Sequence, residues 1–305
     1  MFYRLRKYIK NSKFDWQIRR ILDTPPIQYK EAPLSIVSMV EGRDVLMYIL
    51  AVKALYRRLG RGKIVAIIDA DLPESKRALI RKHLGPVEFQ LLENIETGPC
   101  QRGGTWERVL YCLDRSATDY VIQIDADVLC FGPIEEVLQC VEENRAFTLS
   151  EGMPVQPLPD WVEHGVARKS DHIVNTFELK AREFPNAERW KYVRGSSGFA
   201  GFAKGGVTRE VLEIFHDGGQ KVHGARWKEW GTEQIASNFA VANSPNGLPL
   251  PYPKFATWEP EYATFQKKGM TPQMSLLHFI GIFRFDLGMF RDLANREIDA
   301  LMQNK

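Results

Sequence analysis

Cysteine is scarce in this chain, and long apolar runs are missing from it. The four cysteines, Cys100, Cys112, Cys130 and Cys140, form no C-x-x-C pair. Cys112 and Cys130 fall in segments that read as core, so the set describes reduced thiols of an intracellular chain rather than a disulfide framework. No apolar run has the length of a bilayer span, and no signal peptide is legible. A cytoplasmic location is the expectation. Charge of one sign is lacking too: 41 Lys and Arg against 38 Asp and Glu leave +3 at pH 7. That is too little for the basic field that nucleic-acid binding needs. Low-complexity segments and internal repeats are absent, apart from one tetrapeptide that occurs twice.

With 305 residues, 44% of them hydrophobic, the chain can bury a large core. It divides into a basic helical segment with a Pro-rich linker over 1–32, an α/β domain over 33–290 and a helical tail over 291–305. The opening "MFYRLRKYIKNSKFDWQIRRIL" carries Arg4, Arg6, Lys7, Lys10, Lys13, Arg19 and Arg20 against Asp15 alone. Leu5, Ile9 and Trp16 share a helix face, with Phe2 close by. Two readings stand: peripheral contact of residues 1–22 with an anionic membrane surface, or a helix folded back on its own domain. "DTPPIQYKEAP" then reads as the linker.

From Leu34 strand and helix signals alternate. "LSIVSMV", "KIVAIID", "VEFQLLE" and "YVIQID" read as strands; "DVLMYILAVKALYRRL", "PESKRALIRKHLG", "TWERVLYCLDRS" and "PIEEVLQCVEEN" read as helices. This rhythm predicts an α/β fold whose mostly parallel central sheet carries helices on both faces. Ligands of such sheets bind outside the carboxyl ends of the strands. Beyond Ser150 the rhythm breaks into segments rich in Pro, Gly and aromatics. Trp161, Trp190, Trp227, Trp230 and Trp258 lie there, mostly as expected core, with some available to stack on sugar rings.

The repeated tetrapeptide is "IDAD", at Asp69/Asp71 and again at Asp125/Asp127, each at the end of an apolar strand. Paired carboxylates there can hold a hard divalent cation, or can be solvated, or can cap the next helix. The first copy runs into "LPESKRALI", where Asp71 is placed to cap or charge-stabilise the helix, leaving Asp69 open to a nucleobase or ribose. The second runs into "VLCFGPIEEVL", a firmly anchored loop, and is the better metal site.

Taken together, "YVIQIDADVLCFGPI", "TWERVLYCL", "GSSGFAGFA", "GTEQIASNF" and "HFIGIFRF" resemble the motifs of retaining, glycogenin-like and galactosyltransferase-like nucleotide-sugar glycosyltransferases of the GT-A fold (family 8-like). The resemblance spans roughly Leu34 to Phe285. It implies a single-domain, Rossmann-like GT-A architecture and transfer of a sugar from a nucleoside diphosphate, a UDP-sugar with retention, to an acceptor hydroxyl. Asp125, Asp127 and His278 would hold Mn²⁺ or Mg²⁺. Arg108, Asp125, Ser197, Gly198, Gly281 and Arg284 would bind the donor, with Asp69 added from its place at the ligand edge of the sheet and Lys204 a weaker candidate beside Arg284. Glu233 and Gln234 would be catalytic: Glu233 as base on the acceptor hydroxyl if the reaction inverts, or either one beside the anomeric carbon, stabilising an oxocarbenium-like state, if it retains. Ser196 stands where the family has Asn, Glu233 where it has Asp, Arg284 where it has Lys, and the family's Pro-Trp is missing. The implied acceptor is a glycan, a lipid-linked or a small molecule.

Each residue also has a plainer reading. His278 fits a satisfied core histidine, Arg108 a solvated helix arginine, and Arg284 a surface ion pair with Asp286. Thr232 fits the N-cap of a helix and Glu233 its favourable first-turn acid. An aspartate-nucleophile phosphatase would begin its core with the Asp-x-Asp strand and need a later Lys and acidic cluster; three strand–helix units precede the motif here and no convincing later cluster follows, so this hydrolase reading is the poorer alternative. A sugar-nucleotide pyrophosphorylase would need a Gly-rich loop where this chain has "VSMVEGRDVLM". A non-catalytic nucleotide-sugar or glycan binder of the same fold stays open.

Overall fold

The protein is seen in a computed structural model that describes residues 2–150, 152–258, 273–285 and 288–303, with the backbone alone for 2–8, 282 and 283. Asp286 and the side chains of Phe2 and Leu5 lie outside the described residues. The fold is mixed α/β, its main strands running in the order β1-β2-β3 in one part of the chain and β10-β6-β9-β4 in another, numbered along the chain. Two compact units share the chain: Met1–Leu92, Ile124–Glu135 and Tyr252–Lys305 form the first, Glu93–Gln123 and Glu136–Pro251 the second.

In the first unit β1 (Leu34–Val40), β2 (Lys63–Ile68) and β3 (Val87–Leu91) run parallel, with Val37 beside Val65 and Ala66 beside Phe89. The first two strands are buried almost throughout, which is why each is a continuous apolar run rather than an alternating one. Between them α2 (Val45–Leu59) ends at Gly60, whose φ of 71° lets its N–H reach the Tyr56 carbonyl at 2.8 Å. The next helix, α3 (Glu74–Leu84), corrects one expectation. Pro73 occupies the N-cap, no side chain caps the helix, and Asp71 is exposed outside it. A second sheet joins β11 (Phe255–Thr257), β12 (Leu276–His278) and β5 (Val128–Cys130), with β12 parallel to β11 and antiparallel to β5.

Two terminal helices close this unit, α1 (Phe2–Ile18) and α10 (Met289–Gln303). The inward face of α1 carries Asn11, Phe14 and Ile18, all buried, so the helix folds back on its own unit. Phe14 stacks on Phe290 at 4.4 Å and Phe290 on Phe279 at 4.3 Å, a column that joins both helices to the segment after β12. Full burial of each ring contributes about 2–3 kcal/mol. Ile9 (57% exposed) and Trp16 (77%) point outward instead. Arg58 of α2 grips Glu297 of α10 through two hydrogen bonds of 2.8 and 3.0 Å and also donates to the Gly132 carbonyl at 2.7 Å.

The second unit carries β4 (Tyr120–Ile124) up to Gln123, β6 (Phe147–Ser150), β9 (Gly195–Phe202) and β10 (Leu248–Pro249), with the short pair β7 (Gln156–Pro157) and β8 (Lys191–Tyr192). β6 and β9 are antiparallel, with a register shift between Thr148 and Leu149. The ladder is too close at Gly195 for any side chain: a Cβ there would stand 2.0 Å from the Leu149 carbonyl oxygen. Its helices are α4 (Trp106–Ser116), α5 (Glu135–Glu142), α6 (Val162–Arg168), α7 (Ile173–Leu179), α8 (Arg209–His223) and α9 (Thr232–Asn243). The N-cap of α9 is Gly231 (φ 109°), not Thr232 as the sequence pattern predicts. Glycine tolerates that turn, and Thr232 becomes the first helical residue, accepting from Trp106 Nε1 at 3.0 Å.

Most of the late tryptophans are core, as expected. Trp161, Trp227 and Trp258 are buried, and Trp190 is half-buried edge-on to Phe239. Trp230 is the exception at 71% exposed.

Candidate active site

The turn between β4 and β5 carries Asp125 and Asp127 at the carboxyl end of an apolar strand. Pairing of β5 with β12 then brings in the third group, because the register sets His278 opposite Val128, the neighbour of Asp127. The Phe279 N–H donates to the Asp127 carbonyl at 2.9 Å and the Trp258 N–H to the His278 carbonyl at 2.8 Å, so the ladder continues past the pair. His278 Nε2 stands 3.3 Å from Asp127 Oδ1 and 3.7 Å from Asp125 Oδ2. One ligand atom from each of the three lies within 4.8 Å of the others. Two carboxylates and an imidazole form a donor set that fits a divalent cation accepting both oxygen and nitrogen.

Arg284 joins this cluster. It is buried at 7% exposure, its Nη1 donates to Asp127 Oδ2, and its guanidinium lies over the Phe285 ring at 4.9 Å. Burial works to raise the Asp127 carboxyl, but the hydrogen bond and charge of His278 and the Arg284 guanidinium outweigh it and hold the group below the usual carboxylate range. Asp127 is therefore an anion throughout the neutral range, the state a metal ligand requires.

The first IDAD differs in both respects. Asp69 and Asp71 are exposed just beyond β2, and among the described residues the second copy supplies the one group of three metal-competent side chains. The backbone carbonyl of Asp69 accepts from the Leu72 N–H at 3.2 Å. Gly281 is exposed with a φ of 62°.

In the second unit three other sequence-named residues meet. Glu233, in the first turn of α9, accepts from Ser197 Oγ at 2.8 Å on one oxygen and from Arg108 Nη2 at 3.3 Å on the other. All three side chains are buried, which overturns the reading of Arg108 as a solvated helix arginine. The helix is held to β9 a turn later: Asn238 donates to the Gly195 carbonyl at 2.9 Å and accepts from Thr148 Oγ1 at 3.0 Å. Gln234 is half-buried beside Glu233, and the Gly198 N–H donates to Ser196 Oγ at 3.3 Å. Lys204 is exposed in the turn after β9, its backbone N–H bonded to Asn144 Oδ1 at 2.7 Å.

Two polar residues of these clusters escape sequence reasoning. Gln123, wholly buried in β4, donates to the Ser197 carbonyl. A glutamine inside the apolar run "YVIQI" is the signal that could have found it. Asn11 of α1 accepts from Arg284 Nη2 at 3.4 Å, and nothing in its basic surroundings marks it.

No protein-family model matches this chain, and no curated protein does. Solved structures do. A galactosyltransferase, LgtC, determined with donor and acceptor sugar analogues, is 13% identical over 86% of this chain and 95% of its own, with a TM-score of 0.47. The glycosyltransferase GlyE of Streptococcus pneumoniae is 13% identical over 88% of this chain and 62% of its own, with a TM-score of 0.49. An active-site mutant of LgtC reaches a TM-score of 0.51 at 12% identity, over 86% of this chain and 95% of its own. At such identities the likeness is one of architecture, and it shows that this chain has the GT-A fold of the LgtC-like glycosyltransferases.

Proposed function

We propose that this protein is a metal-dependent glycosyltransferase that moves a sugar from a nucleoside diphosphate, a UDP-sugar, to an acceptor hydroxyl with retention. The observation that carries the reading is the convergence of Asp125, Asp127 and His278 at a strand's carboxyl end within a GT-A fold. A bound Mn²⁺ or Mg²⁺ would neutralise charge on the leaving diphosphate as a Lewis acid. Arg284 supplies fixed positive charge for the same diphosphate, and its buried Nε–H, which meets no acceptor among the described residues, is a donor for it. Asp69 is assigned to the nucleoside, and Ser197, Gly198, Gly281 and Arg108 to the donor.

Glu233 has both oxygens engaged, by Ser197 and by Arg108. That suits a fixed negative charge facing an oxocarbenium-like sugar better than a base that must take a proton, and it favours retention over inversion. Gln234 beside it is the second catalytic candidate. Exposed Trp230 is a surface for an acceptor sugar ring.

The exposed face of α1 belongs to the same reading. Ile9 and Trp16 lie there with exposed Lys13, and exposed Arg19 and Arg20 follow in the next turn, a pattern that suits an anionic membrane surface and a lipid-linked acceptor at the cytoplasmic side. None of the described helices is long and apolar enough to cross a membrane.

Calorimetric titration of UDP with and without Mn²⁺ tests the core of this. Wild type and Asp69→Ala are expected to bind UDP in a Mn²⁺-dependent way, and Asp127→Ala to lose that dependence. Loss confined to Asp69→Ala would move the metal to the first IDAD. A folded wild type that binds neither UDP nor GDP would sink the transferase reading. Hydrolysis of a UDP-sugar panel in Mn²⁺ separates an enzyme from a non-catalytic binder.

A further inference from the structure

Arg284 is held from two sides, and one of them comes from the N-terminal helix. Asn11 is 4% exposed on the inner face of α1. Its Oδ1 accepts from Arg284 Nη2 at 3.4 Å, and its Nδ2 donates to Asp44 Oδ1 at 3.1 Å. Asp44 closes the short turn Gly42–Asp44 that follows β1, at the carboxyl edge of the parallel strands where ligands of such sheets bind. One amide therefore spans from that edge to the guanidinium that also touches Asp127.

The chemistry of the amide matters. A leucine would pack a buried helix face without the cost of burying polar atoms. A carboxylate would cancel the charge of Arg284. Asparagine alone among these offers a neutral acceptor to the guanidinium while its own N–H₂ is satisfied by Asp44, so the arginine is oriented and keeps its charge. Asp127 is shared with the metal triad, but Asn11 is not. Its grip on Arg284 does not depend on what Asp127 is doing.

We infer that Asn11 is a positioning residue for Arg284, and that α1 is thereby part of the nucleoside-diphosphate site rather than only a surface anchor. This rests on the function proposed above and adds to it a residue that acts on the diphosphate portion of the donor alone.

The test compares diphosphate with monophosphate binding. In Mn²⁺, Asn11→Leu should weaken UDP (or GDP, whichever wild type binds) by about tenfold, the loss of one hydrogen bond to a charged group. Affinity for the matching monophosphate should stay within about twofold on the same hydrogen-bond argument. Mn²⁺ binding without nucleotide should not change, and in an Arg284→Ala background the substitution should have no further effect. Asn11→Ala carries the same expectations where the larger side chain prevents folding. Unchanged diphosphate affinity, equal losses for mono- and diphosphate, or an additive loss on top of Arg284→Ala would overturn the inference and leave the transferase reading standing. Failure of wild type to bind either diphosphate would instead remove that reading, and this inference with it.

Discussion

Arg108 and Glu233 meet inside the second unit at 3.3 Å, with side chains 5% and 4% exposed. Removing one member of such a pair leaves the other charged and buried, which costs about 3–5 kcal/mol. Arg108→Ala should therefore lower urea-unfolding stability by that order, and adding Glu233→Gln should recover part of the loss. A simple sum of the two single effects in the double variant would show that the pair is not coupled.

Glu233→Gln alone keeps the shape of the side chain and its acceptor toward Ser197. It should fold, at a stability cost of up to about 3–5 kcal/mol for the Arg108 charge left without its anion, while sugar turnover of the folded variant falls by about a hundredfold or more, as for loss of a fixed charge facing a transition state. Steady-state rates on the best UDP-sugar, set beside the melting temperature, check both halves. Undiminished turnover would take Glu233 out of the reaction.

Asp15 lies half-buried on α1, and burial first, then the neighbouring Asp44, push its carboxyl up from 3.8 to about 6. The native state thus holds this proton more tightly than the unfolded chain does. Its contribution to stability falls as pH rises from about 4 to 6, and the cost is complete above 6. Asp15→Asn should gain roughly 1–2 kcal/mol at pH 7.5, discounted for partial solvation, and nothing below pH 4. Thermal melts of both proteins across that range would expose a wrong sign at once.

His83 and His223 act in the opposite direction. Burial lowers each from 6.5 to about 4, with Lys53 contributing at His83 and Lys180 at His223. Between those values the unfolded chain binds the extra protons, so stability is lost as pH falls from 6.5 toward 4. The double variant His83→Gln/His223→Gln should melt with a visibly flatter pH profile over that interval. An unchanged slope would place the acid sensitivity elsewhere.

Phe290→Ala would open the aromatic column between Phe14 and Phe279. A loss of about 3–5 kcal/mol is expected from the removed ring and the cavity it leaves. Phe279 adjoins His278, so Mn²⁺ affinity measured on the folded variant should fall as well.

The alternating strands and helices of the first half are legible because buried parallel strands are continuous apolar runs with punctuated ends. The better of the two IDAD copies is legible from the apolar stretch and Gly-Pro turn, Val128–Pro133, that anchor it on its C-terminal side. That Asp125, Asp127 and His278 converge depends on a resemblance, because nothing local to "SLLHFIGIF" says that Leu276–His278 pairs with Val128–Cys130. Strands of three residues separated by about half the chain carry too little periodicity to declare a partner. Asp71 and Thr232 mislead as caps for a different reason. Both have capping chemistry close to a helix start, but Pro73 and Gly231 fit the backbone turn itself. Asn11 is hidden by its setting, a lone amide among cations that suggests surface rather than interior.

The first unit draws on segments at both ends and in the middle of the chain, and Arg58 of α2 finds Glu297 only across 239 positions. During synthesis, then, the two aspartates emerge long before their histidine and arginine. A growing chain, or one cut short before residue 278, carries the two carboxylates of the β4–β5 turn but not the assembled triad. On the metal-dependent function proposed above, tight Mn²⁺ binding should therefore appear only in chains that extend past residue 284.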